Sequence, residues 1–341
     1  MMSGQALEQE LRARLEAAVG LDVAYVGVAN GLFSALADLQ EATPRGLAET
    51  TGCDAAYTQR WCDAAYAFEY LSEAGTGRFS LTDLGRQFVP EIAQTGMPAA
   101  VQAVLGAHMA ERASALMRTG ERPGEAVLAE RETIMPLFGP MLEAQFGPLL
   151  EREILARIGV FAEADARGGL VVDLGCGNGW YLRRLLSHFP TLRGLGLDTT
   201  ETAIEQARTE AARAGLAKRL RFDLGDLADF ASDEPADLIA MNRALHHVWD
   251  DRERVVSLLY EHLKPGGAAV IWEPAWPADR TSLRESARRV MAFQNLAEHV
   301  QGNRFLHPDE IEAALRDGGL LTETHVLGDG RDVVIVGRRP S

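Results

Sequence analysis

Leu7, Leu11 and Leu15 recur at four-residue spacing, the stripe of a helix over residues 6–19, and Gly20 is expected to stop it. A second helix is expected over 22–38, with weak points at Gly27 and Gly31. Thr43 before Pro44 has the form of an N-cap followed by a first-turn proline, which starts a short helix over 44–50 ending at Gly52. Asp54 is placed to cap a longer helix through about Ser72, with Trp61, Ala65, Phe68 and Leu71 on its buried side. The turn Gly75-Thr76-Gly77 leads into Arg78-Phe79-Ser80-Leu81-Thr82, which alternates like a short strand. Helix, turn, helix and a small strand pair is the order of a winged helix.

Over residues 91–165, prolines and glycines are expected to break several helical stretches. The apolar stretch 134–150 reads as a connector packed on the next domain and as a wall of a substrate pocket. From about residue 168 the pattern changes to alternation. Continuous apolar runs predict strands at 170–174, 193–197, 219–223, 237–242, 267–273, 320–327 and 332–338. Helical patterns fall at 179–188, 201–214, 250–263 and 308–317, with a helical insert at 281–300. This is an α/β fold: a Rossmann-like, mostly parallel seven-stranded sheet with helices on both faces. Gly328-Asp329-Gly330-Arg331 reads as a hairpin turn, which makes the last strand antiparallel to its neighbour. Three regions follow: a winged-helix and dimerisation domain over 1–95, a helical connector over 96–160, and a catalytic domain over 161–341.

Composition narrows the function classes. The 341 residues are 47% hydrophobic and carry a net charge of −15. Such a balance argues against a general grip on nucleic acid or anionic lipid, both of which need a basic face. Residues 43–88 hold four arginines (Arg45, Arg60, Arg78, Arg86) against six acids, and the candidate recognition helix has Arg60 as its one base, so the winged helix is expected to pack and not to read DNA. Cys53, Cys62 and Cys176 are too sparse for a disulfide framework and suit a reducing cytoplasm. No basic segment followed by an apolar run opens the chain, so neither a signal peptide nor a membrane span is expected.

The strongest chemical signal is Val171-Val172-Asp173-Leu174-Gly175-Cys176-Gly177-Asn178-Gly179, a strand running into a glycine-rich turn and a helix. Glycine lets backbone approach a ligand closely, and the free amides at the helix start favour a negative group. A nucleotide-like cofactor at the carboxyl edge of the sheet is the implication. Asp198 ends the next strand, where a carboxylate can take two ribose hydroxyls. Asp226 follows the third strand, placed to accept from an exocyclic amine.

These features, with Asp237-Leu238-Ile239 and Leu263-Lys264-Pro265-Gly266-Gly267, resemble the class I S-adenosylmethionine-dependent methyltransferases over residues 165–341. The winged helix ahead of them, with Gly31-Leu32-Phe33-Ser34-Ala35-Leu36 and Phe79-Ser80-Leu81-Thr82, is similar to the dimerising domain of small-molecule O-methyltransferases of specialised metabolism. The resemblance implies S-adenosylmethionine as cofactor. It implies that Gly175, Gly177 and Gly179 shape the loop under the methionine part, that Asp173 supports its amino group, and that Asp198 holds both ribose hydroxyls. Asp226 receives the adenine amine, the Leu227 amide a ring nitrogen, and Asn242 lines the methyl donor. Thr199 departs from the apolar residue that the family often places after the ribose acid.

A second signal is Asn242-Arg243-Ala244-Leu245-His246-His247-Val248-Trp249-Asp250-Asp251, after the fourth strand. A hydroxyl acceptor must lose a proton, and histidine suits general-base work. In the resembled enzymes this stretch commonly reads L-H-D-W-x-D with that histidine as base. Alignment from the right selects His247, alignment from the left selects His246, and Val248 replaces the family's acid. Glu273 ends the fifth strand, and Glu298 and His299 lie in the inserted helix, which borders substrate in related enzymes. His307 reads as flanking a helix start and His108 as packed. No Asp, Glu and His set has metal-site spacing, so no metal is expected. The expected activity is methyl transfer to a small, partly apolar acceptor, on oxygen first, with carbon or nitrogen open. The alternatives are a cofactor-keeping enzyme that does not methylate, a peptide carboxylate methyltransferase, and a winged-helix regulator.

Overall fold

The computed structural model describes residues 3–341 apart from 74, 76, 94, 228, 229 and 233. It divides into two compact units, one of residues up to 112 with 129–145, the other of residues 113–128 with 146–341. The 96–160 segment is therefore shared between them.

In the first unit the helix Gly4–Ala29 runs unbroken through Gly20, and the break falls at Gly31, whose φ of 66° is left-handed. The expectation that Gly20 ends the helix is corrected for a packing reason. A Cβ at Gly20 would stand 3.0 Å from the Tyr70 hydroxyl, and one at Gly27 would stand 2.4 Å from Phe33. These glycines let aromatic rings close onto the helix. Helices Leu32–Leu39, Pro44–Thr51 and Ala55–Ala67 follow. Thr43 caps Pro44–Thr51 by accepting from the Gly46 amide at 3.1 Å, and Asp54 caps Ala55–Ala67 through the Ala56 and Tyr57 amides, both at 2.9 Å. That last helix ends before Ser72. Glu69 turns left-handed at φ 60°, and Leu71 is buried in a strand. The strands β1 (Leu71–Glu73) and β2 (Phe79–Leu81) pair antiparallel, which completes the winged-helix order. Thr76 of the expected turn lies outside the described residues. Phe33 is the centre of this core, edge-on to Trp61 and stacked on Phe88.

Pro98 and Gly106 do not interrupt the helix Gly96–Leu116, and Met135–Leu149 continues through Pro140 and Pro148. Pro98 and Pro136 sit in first turns, where no amide partner is lost. A π-helical turn, Leu150–Ile154, follows Pro148.

The second unit holds β3 (Leu170–Leu174), β4 (Arg193–Asp198), β5 (Leu220–Leu224), β6 (Ala236–Asn242), β7 (Leu263–Pro274), β8 (Leu321–Leu327) and β9 (Asp332–Arg338). They form one seven-stranded sheet in the order β5-β4-β3-β6-β7-β9-β8. All pairings are parallel except those of β9, which runs antiparallel to both neighbours. The α/β expectation with an antiparallel last strand holds. Val172, Leu174, Ile239, Met241, Ala269 and Ile271 take every second position on one face, where Val255, Leu259, Ile311 and Leu315 of two helices join them. Asp237 and Lys264, both in the recognised motifs, are structural. Buried Asp237 accepts from Lys264 Nζ at 2.7 Å and from the Leu170 amide at 3.0 Å. The ordering at β3 and β6 places their carboxyl ends side by side, and the candidate site lies on that edge.

Candidate active site on the carboxyl edge of the sheet

β3 ends in the loop Gly175–Gly179, and the helix Trp180–His188 leaves from it. Gly175, Gly177 and Gly179 have φ of 76°, 52° and 73°, which L side chains rarely adopt. A Cβ at Gly175 would meet Ala244 at 2.8 Å and one at Gly179 would meet Phe222 at 2.3 Å, whereas Gly177 faces open space. Two of the glycines thus close the loop onto its neighbours and the third leaves room above it.

Asp198, at the end of β4, accepts from the Gly177 amide at 2.8 Å and the Thr200 amide at 2.9 Å, so it braces the loop from the next strand. Asp173 of β3 is buried and accepts from Asn242 Nδ2 of β6 at 2.8 Å. Burial raises the Asp173 carboxyl to about 8, against the lowering effect of the Asn242 amide. Among the described residues the Asn242 Oδ1 atom is buried without a hydrogen-bond partner, an acceptor beside a carboxyl that is largely neutral at pH 7. An acceptor left over in this way can take a donor from a ligand. Asp226 and Leu227 follow β5 on the same edge, with Asp226 exposed and Leu227 half-buried.

Beyond Asn242 the chain turns sharply. Arg243 is left-handed at φ 55°, its amide donates to Trp272 O at 2.7 Å, and its guanidinium pairs with Asp332 at 2.9 Å over the Phe146 ring. A non-glycine residue in that conformation costs on the order of 1–3 kcal/mol, which these contacts hold in place. The turn delivers the 3₁₀ segment Leu245–Asp251 with both histidines. His246 is buried, with Nδ1 2.7 Å from Glu273 Oε2, while Glu273 Oε1 accepts from the Leu245 amide at 2.8 Å and the His246 amide at 3.2 Å. Its Nε2 stands 3.6 Å from Glu298 Oε2, too far for a hydrogen bond. Burial pulls the His246 pKa down, but the Glu273 and Glu298 carboxylates outweigh it and hold the ring at about 9. His247 is half-buried, with Nδ1 2.5 Å from Glu125 Oε1 and 2.9 Å from the Asn303 side-chain amide. The hydrogen bond to His247 holds the Glu125 carboxyl below its ordinary range, against burial.

Residues 171–267 match the family described as "Methyltransferase domain". The trans-aconitate 2-methyltransferase of Variovorax paradoxus is 37% identical over 124 residues, 36% of this chain and 43% of that protein. The chain thus spans less than half the length of that curated relative. The O-methyltransferase SfmM3 of Streptomyces lavendulae is 29% identical over 266 residues, 74% of each chain. Human N-acetylserotonin methyltransferase, solved with S-adenosylmethionine, superposes over the full length of both chains with a TM-score of 0.74 at 18% identity. Residues 171–267 are a methyltransferase domain. The fold around it is that of the class I S-adenosylmethionine-dependent methyltransferases.

Within this methyltransferase domain, Asp173, Gly175, Gly177, Gly179, Asp198 and Asn242 lie in one hydrogen-bonded neighbourhood on the sheet edge. The free Asn242 oxygen and the open space at Gly177 fit a ligand that brings an amino group and lies on the loop. Glu273 is fully buried and paired with His246. His299 is exposed, whereas Glu298 faces His246. His307 caps the helix Pro308–Asp317, and His108 is packed within the first unit with Arg131 Nε at 3.2 Å. Sequence reasoning missed Glu125 and Asn303, which reach His247 from 122 and 56 positions away, and the left-handed Arg243. The Asn242-Arg243 ending of a buried strand was the one local signal available for the turn.

Proposed function

We propose that this protein transfers the methyl group of S-adenosylmethionine to an oxygen of a small, partly apolar molecule, working as a homodimer in the cytoplasm. The observation that carries the cofactor half is the unpartnered Asn242 oxygen beside buried Asp173, under a loop with room above Gly177. When bound, the cofactor supplies a methyl on a sulfonium, a carbon open to in-line displacement. Asp173 and Asn242 take its amino group, Asp198 its ribose hydroxyls, and Asp226 with the Leu227 amide its adenine. Alignment of acceptor, methyl and sulfur supplies most of the rate.

The acceptor's proton goes to the histidine pair. Glu125 on Nδ1 fixes the His247 tautomer and leaves the other ring nitrogen to receive a proton. His246, held by Glu273 and Glu298, keeps its own proton at neutral pH and stands as a positive neighbour. His247 is therefore the base in this reading and His246 its support. The Streptomyces relative's name, an O-methyltransferase, favours oxygen over carbon or nitrogen. The dimer rests on Leu7, Leu11, Leu15 and Val19, an exposed apolar stripe on one helix.

The test incubates the protein and S-adenosylmethionine with a panel of small phenols and alcohols, scored by mass spectrometry. A product heavier by one methyl group is expected. His247→Ala should lower kcat by about 10²–10⁴ with cofactor affinity unchanged. Cofactor binding with no methylated product from any acceptor class would favour the non-methylating alternative, and full turnover in His247→Ala would remove the base.

A further inference from the structure

His246, His247 and Glu298 each offer one ligand atom, and these atoms all lie within 4.8 Å of one another. Both histidines are oriented alike. Nδ1 of His246 faces Glu273 at 2.7 Å, and Nδ1 of His247 faces Glu125 at 2.5 Å with the Asn303 side-chain amide also 2.9 Å from it; a neutral ring that keeps its proton toward its carboxylate presents its lone pair at Nε2. A carboxylate behind a histidine is the arrangement that orients imidazole toward a metal and raises its basicity.

The front of the site is open in a telling way. His246, with 3% of its side chain exposed, has no hydrogen-bond partner at Nε2 among the described residues, and Glu298 Oε2 stands 3.6 Å off. When that nitrogen gives up the proton it carries in the metal-free protein, its lone pair faces the carboxylate across the gap, and a cation there takes both as ligands. Two donors each about 2.1 Å from one ion stand roughly 3.0–4.2 Å apart, depending on the angle between them. The 3.6 Å separation falls in that range.

We propose that His246, His247 and Glu298 form a site for one divalent first-row transition ion, with positions left for water or an acceptor's oxygen. Two imidazoles and one carboxylate suit iron, cobalt or zinc and not magnesium or calcium, which prefer all-oxygen shells. The assignment rests on the proposed methyltransferase reading in one respect, that the acceptor's oxygen is the ligand arriving last. A coordinated hydroxyl is more acidic than a free one, so in the loaded protein the cation replaces His247 as the agent that makes that oxygen nucleophilic.

The full chain, stripped with a chelator, is titrated with Co²⁺ by calorimetry and visible absorption, and separately with S-adenosylhomocysteine. One Co²⁺ per chain is expected, with d–d bands and two exchangeable, paramagnetically shifted imidazole N–H resonances in the proton spectrum. His246→Ala and Glu298→Gln should each weaken Co²⁺ binding at least about tenfold while S-adenosylhomocysteine binding persists. Should a variant misfold and lose both ligands, the two N–H resonances of the native protein decide. The site is refuted by absence of stoichiometric Co²⁺ binding, by absence of those resonances, or by undiminished binding in both folded variants. Loss of S-adenosylhomocysteine binding in the native chain with Co²⁺ still bound would instead refute the proposed function.

Discussion

Asp173 provides a test of the cofactor site that needs no knowledge of the acceptor. Its side chain is 1% exposed, and burial holds its carboxyl at about 8. At pH 7 a group with that pKa is about 90% protonated. The amino group of the cofactor, arriving as a cation between Asp173 and the free Asn242 oxygen, favours the carboxylate. An opposite charge at contact lowers a carboxyl by about 1–3 units, which brings this one to roughly 5–7. About 0.4–0.9 of a proton should then leave on binding at pH 7, and no more than about 0.1 at pH 9, where the free protein has already lost it. Calorimetry with S-adenosylhomocysteine in phosphate and in Tris reads the difference, because the released proton adds each buffer's own heat of ionisation. Asp173→Asn should abolish the buffer dependence and weaken binding. Equal heats in both buffers at pH 7, or an undiminished buffer dependence in Asp173→Asn, would refute the placing of the amino group.

Three further outcomes are expected. Asp198→Ala removes the ribose acceptor and frees the Gly177 and Thr200 amides, a loss on the order of 1–3 kcal/mol or roughly 5- to 150-fold in S-adenosylhomocysteine affinity by calorimetry; unchanged affinity in a folded variant would take Asp198 out of the site. His246 is raised from 6.5 to about 9, so the folded state keeps a proton that the unfolded state releases. Its contribution, on the order of 3 kcal/mol, is whole below about pH 6.5 and is lost as pH climbs to about 9. Asp173, also raised, acts in the same direction up to about 8. The Tm of metal-free protein should therefore fall between pH 6.5 and 9, and His246→Gln should flatten the upper part of that fall. Light scattering should give about twice 37.1 kDa, and charged residues at Leu11 and Leu15 should yield monomers; a native monomer would sink the dimer.

How far the sequence carries depends on how far apart the cooperating residues stand. The cofactor edge was legible because its parts are local: a buried strand, three glycines within five positions and a strand-end acid each state their geometry in consecutive residues. The class of the sheet was legible too, since strands alternating with helical crossovers make a mostly parallel sheet. The first unit was less legible because a glycine has two uses. Gly31 breaks a helix, while Gly20 and Gly27 sit inside one to admit rings of Tyr70, Phe68 and Phe33, and two of those rings, Tyr70 and Phe68, lie far along the chain. The prolines misled for a related reason: Pro98 and Pro136 sit in first turns, where they cost nothing.

The histidine pair shows the limit most clearly. The resembled motif keeps an acid beside its histidine, and Val248 in that neighbourhood suggested an unsupported ring. The fold supplies the support from elsewhere. Glu273 arrives from β7, Glu298 from the helix Ser286–Val300 and Glu125 from a segment more than 100 residues earlier. One adjacent acid has been exchanged for three distant ones, which changes the chemistry as well as the address. A single acid behind a ring makes a base. Acids behind both rings and a further carboxylate in front gather negative charge and lone pairs at one point. That arrangement holds a proton tightly on His246 in the metal-free protein, and it is also what a divalent ion requires.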